Sequence, residues 1–158
     1  MFIIKVMQNI SDELARIANE LNMIYVRALN SADLNQYLQG LKVERPLLVY
    51  ANLTPAEFPE TGSNFEYYSA EVTLYILDIS ARPDPTAAEV DAQLFPLFEL
   101  GNFVYDALTR SEIKFSSVDI ERGTMTPAEQ IERTDEILNG WEMVLTVPIK
   151  RTNYYCGV

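Results

Sequence analysis

Histidine is absent from this chain of 158 residues. That removes the side chain used most often as a general base or metal ligand near neutral pH, and with it every Ser-His-Asp or Cys-His arrangement. Cysteine occurs once, at Cys156. One thiol makes neither an internal disulfide nor a thiolate zinc site, and the count suits a reducing compartment. The six glycines are scattered, so no phosphate-cradling loop exists. Basic residues are scarce: 12 Lys and Arg stand against 23 Asp and Glu, a net charge of −11. Such a balance disfavours phosphate backbones and predicts no specific nucleic-acid binding. The apolar stretch Met1–Met7 is too short to span a bilayer, and no small-residue cleavage site follows it. The sequence predicts a soluble chain, made in a cytoplasm, with no membrane partner.

What remains is acidic, aromatic and well patterned. With 48% apolar residues the chain can build one proper core. Ile3, Met7, Ile10, Leu14, Ile17 and Leu21 alternate at steps of four and three, which predicts a helix over Phe2–Leu21. A strand at Phe2–Met7, with the helix starting near Asn9 or Ser11, is the alternative. Met23–Arg27 is a short β-prone run, and Ser31 is placed to cap a short helix through Leu41. Pro46–Leu53 reads as a buried strand. Thr54-Pro55-Ala56-Glu57 then has the form of a capping box with proline at the first helical position, as does Thr126-Pro127-Ala128-Glu129.

Period-two patterning over Phe65–Ile79 predicts a long strand, with Tyr68, Ala70, Val72, Leu74 and Ile76 facing a core. Thr86 and Glu89 cap a second major helix to Arg110, whose inner stripe is Val90, Leu94, Leu97, Gly101, Val104 and Leu108. Pro96 predicts a kink there, or two abutting helices. Ile113–Arg122 and Leu138–Ile149 are the closing strands. The fold class is therefore α+β: an antiparallel sheet with two main helices packed on one face, extended loops and a C-terminal tail. Residues 1–150 form a single domain and 151–158 the tail.

Carboxylates are the only candidates for chemistry. Asp84 with Asp91, Glu129 with Glu132, and Asp135 with Glu136 match no cation-loop pattern, and read as solvated charge or helix N-terminal charge. The expectation is a non-enzyme with no catalytic, cofactor or metal site. Trp141, on the apolar face of its strand, reads as core. Function then falls to surfaces. Tyr67 and Tyr75 lie on the face of the long strand opposite the core, Met125 lies in the excursion 123–136, and Tyr154 and Tyr155 sit in the tail. These five are the candidate subunit-interface residues.

The order of N-terminal helix, long strand, capped helix and two closing strands resembles that of tail-terminator and tail-completion proteins of tailed bacteriophages. The segment Asn139-Gly140-Trp141-Glu142-Met143-Val144-Leu145-Thr146-Val147-Pro148-Ile149 is similar to the last strand of such subunits. Asn153-Tyr154-Tyr155-Cys156 resembles the ending of virion proteins from phages of Bacteroides-like hosts. The resemblance implies a non-catalytic virion subunit, assembled in the bacterial cytoplasm, that forms a homo-oligomeric ring of six or more copies. It implies contacts with other tail or connector proteins, and a lumen through which DNA passes. Two other classes stay open: an acidic phage-encoded inhibitor of a host nucleic-acid-binding protein, and a histidine-free enzyme using carboxylates with Mg²⁺.

Overall fold

The computed structural model describes residues 2–28, 34–55, 67–80, 82–110, 121–133 and 136–150; for 2–9, 52–55, 67–70, 121–122 and 148–150 the backbone alone is described. The chain opens with helix α1 (Phe2–Glu20), continuous from its first residue, so the single-helix expectation holds. Its buried apolar side chains among the described residues are Ile10, Leu14, Ile17 and Ala18. A left-handed cap ends it. Asn22 takes φ 56°, Asn22 N–H donates to Asn19 O and Met23 N–H to Ala18 O at 2.7 Å, the paired bonds of a Schellman motif. Met23 and Ala18 both enter the core and seal that turn.

The chain then leaves directly as β1 (Ile24–Arg27), crosses through the short helix α2 (Leu34–Gln39) and returns as β2 (Leu47–Pro55). β1 and β2 pair in parallel, Ile24 with Leu47 through Arg27 with Tyr50. β3 (Tyr67–Ile79) pairs antiparallel with β2 and, along its whole length, with the last strand, Tyr67 with Lys150 through Ile79 with Leu138. Between them come helix α3 (Ala87–Thr109), β4 (Glu121–Pro127) and the three-residue β5 (Ile131–Arg133), before β6 (Glu136–Lys150) closes the sheet. The strand order is β1-β2-β3-β6-β4, with β5 also on β6. The α+β class holds. The sheet is mixed, not antiparallel throughout as the pattern predicted: β1 and β2, joined by the short helix expected before Leu41, run parallel.

Two cores result. On one face α1 and α3 pack side by side against Leu48, Tyr50, Val72, Leu74, Ile76, Met143, Leu145 and Val147. On the other, α2 brings Leu34 and Leu38 against Leu47, Val49, Leu77 and Leu138. The strands alternate as a two-faced sheet requires, and their odd and even residues sort cleanly between the cores.

Both Thr-Pro-Ala-Glu segments correct the capping expectation. Thr54 and Pro55 extend β2, paired with Glu71 and Ala70, while Thr126 and Pro127 end β4, opposite Glu142 and Trp141. Pro55 and Pro127 are each the last residue of a strand, where a missing N–H does little harm. The β-prone residues upstream outweigh a local cap signal. Thr86, by contrast, is a true N-cap: its hydroxyl accepts from Glu89 N–H. α3 runs unbroken through Pro96, which is exposed, so the carbonyl that loses its helical donor can be hydrated. The expected strand over 113–122 lies outside the described residues except at Glu121 and Arg122, where β4 begins.

Candidate interaction surface

The residues singled out from sequence do not converge. Tyr67 begins β3, and only its backbone is described; Tyr154 and Tyr155 lie outside the described residues. Tyr75 sits on the α2 face, partly buried beside the second core. Glu142, its cross-strand neighbour, bonds the Tyr75 hydroxyl. Burial first, and the Glu142 carboxylate second, push the phenol up to about 12. Met125 is on the opposite side of the sheet, against α3: a Cβ built on Gly101 would meet its Cε at 2.5 Å. Tyr75 and Met125 therefore cannot share one contact surface.

The structure draws attention to α3 instead. Its inner stripe is Leu97, Gly101, Val104 and Leu108, all buried as the spacing predicts. Yet two large aromatic side chains stand on the opposite side. Phe95 is 67% exposed and Phe103 56%, two turns apart with Glu99 between them. The only other exposed large apolar side chain among the described residues is Tyr37, on α2. Two exposed phenylalanines a short distance apart on one helix face are the kind of apolar surface that a partner covers. The sequence signal was present, since Phe95-Pro96-Leu97-Phe98 cannot all fit one stripe.

Beside this ridge α3 and the end of the sheet leave a cleft of about 300 Å³. Pro46, Pro96, Leu97, Leu100 and Phe103 supply its apolar lining, and Asp78 and Glu99 its carboxylates. Asp78 is half-buried. Its Oδ1 accepts from Ile79 N–H at 2.8 Å, and among the described residues no cation pairs with it. Burial raises its carboxyl above the ordinary value, and the Ile79 bond offsets part of that rise.

A polar cluster fixes the cleft's far side. Gln93, also lining it, donates Nε2 to the carbonyls of Ile79 (2.8 Å) and Asp78 (3.2 Å). Gln93 Oε1 in turn accepts from Asn139 Nδ2 at 3.1 Å. Asn139, 2% exposed, also accepts from Gln130 Nε2 at 2.8 Å. A core-parity asparagine on β6 was a visible hint that the sequence reading passed over. Two residues along β6, Trp141 Nε1 donates to Leu94 O at 2.7 Å and its ring meets Phe98 edge-on at 5.2 Å. Trp141 is thus a packing residue, as its parity suggested, and it clamps α3 to β6.

No family model and no curated protein matches this chain.

Chemistry is thinly supplied on this surface. Among the described residues no three acidic or thiol side chains gather at one point, and no helix is long and apolar enough to cross a membrane. The arrangement can bind: it offers an aromatic ridge, an apolar cleft and two carboxylates.

Proposed function

We propose that this chain is a non-catalytic structural subunit that assembles with copies of itself into a ring, of the head–tail connector or tail-terminator type, within a virion. The observation that carries the reading is the outward ridge of α3. Phe95 and Phe103 stand in solvent on a helix whose other side already fills the core. Exposed aromatics in a row are the kind of anchor on which subunit contacts are built. The order of elements supports the tail-terminator form, through its resemblance to those proteins. In such a ring other tail or connector proteins would be partners, and the acidic surface would let DNA pass without holding it.

Light scattering on the chromatographed protein, with electron microscopy, is the test. The reading expects closed rings, and the chain among the components of purified particles. A strict monomer at every concentration, together with absence from particles, overturns it.

A further inference from the structure

We infer that the cleft between α3 and the end of the sheet receives an arginine or lysine from a basic segment of a different protein. Three observations converge on this occupant. The Asp78 carboxylate is half-buried, holds one backbone N–H, and has no cation of its own chain among the described residues. Glu99 lines the same cleft. The remaining lining, from Pro46, Pro96, Leu97 and Leu100, suits an aliphatic stem, and the Phe103 ring suits the face of a guanidinium.

A second copy fits this cleft less well than a basic partner. Each copy brings a net charge of −11, which opposes seating a second copy on a cleft lined by two carboxylates. The cleft also explains a cost the fold carries. A half-buried carboxylate without a counter-charge is destabilising, and such groups are tolerated where a ligand uses them. Phe103 and Glu99 belong to both the ridge and the cleft, so the inference is told apart from ring formation at Asp78, which lines the cleft alone.

The test is an NMR titration of the ¹⁵N-labelled full chain with a short alternating leucine–arginine peptide. A matched peptide carrying citrulline for arginine is the neutral control. The expected result is shift changes concentrated at Leu47, Gln93 and Leu97–Phe103, with affinity for the citrulline peptide at least about tenfold lower. Asp78→Asn with Glu99→Gln should weaken arginine-peptide binding by a similar factor while raising thermal stability. Asp12→Asn with Glu20→Gln, on α1, should leave binding unchanged. Equal binding of the two peptides, equal loss with the α1 pair, or shifts centred elsewhere would overturn the proposal. So would self-association that Asp78→Asn abolishes, since a second copy would then be the occupant.

Discussion

At Gly140 the central strands approach so closely that a side chain has no place. A Cβ there would lie 1.7 Å from the Ile76 carbonyl oxygen, and that oxygen belongs to backbone that cannot swing aside. Gly140→Ala should therefore cost at least about 3 kcal/mol, the upper range for an overpacked core, read by denaturant titration. Gly101→Ala meets only the flexible end of Met125, and should cost about 1 kcal/mol. Tyr50 makes the opposite case. It is fully buried, its ring lies 4.0 Å under the Arg27 guanidinium, and its hydroxyl has no hydrogen-bond partner among the described residues. Replacing it by phenylalanine keeps the packing and removes an unsatisfied polar atom, so Tyr50→Phe should be neutral or stabilising by up to about 1 kcal/mol. Its titration has a defined sign. Burial pushes the phenol from 10.0 up to about 12, so above pH 10 the unfolded chain gives up this proton while the folded one keeps it. Stability is intact below pH 10 and falls as the pH rises towards 12. Equilibrium unfolding across that window should show a shallower fall in Tyr50→Phe; an unchanged slope would contradict this account.

At the scale of elements, the junction of α3 with the sheet adds to its apolar packing a set of uncharged polar side chains. Gln93 ties the helix to the ends of β3 and β6 through two carbonyls and Asn139. Gln93→Leu strips buried partners, and should cost about 2 kcal/mol; Thr86→Ala, which removes the exposed cap, should cost about 1 kcal/mol. Thermal unfolding would rank the two, and the reverse order would mean that the cap, not the junction, holds α3. These elements differ in how well a sequence announces them. α1, β3, α3 and β6 are long, and each repeats its period many times, so their faces could be read off and Leu14, Val72, Leu97 and Met143 fell where expected. β1 and α2, of four and six residues, were legible as a β-prone run and a short helix, but elements so short do not show which way they pair. Thr54-Pro55 and Thr126-Pro127 misled because capping chemistry is local, whereas strand pairing with β3 and β6 is decided by partners far along the chain. The surface was the least legible part. Tyr75 was rightly placed on the face opposite the first core, but that face carries a second core beneath α2, which follows from a parallel pairing of β1 with β2 that the pattern did not disclose.

For the whole molecule, the distribution of apolar surface is the property that asks for a partner. The sheet is filled on both faces at one end, by α1 and α3 above and α2 below, so the internal needs of the fold are met without Phe95 or Phe103. Removing them should then leave stability almost untouched, within about 0.5 kcal/mol, as for exposed sites generally. Assembly should respond quite differently. If the α3 ridge joins one subunit to the next, Phe95→Ser with Phe103→Ser should shift the population from ring to monomer, because central aromatic anchors carry most of the energy of a contact. High salt should not reproduce that shift, since the ridge contact is apolar, whereas binding of a basic peptide in the cleft should weaken as ionic strength rises. Sedimentation velocity on the two proteins, at low and high salt, separates these effects. A double variant that still forms rings would move the subunit contact away from α3, while rings that dissolve only in salt would make the contact one of charge.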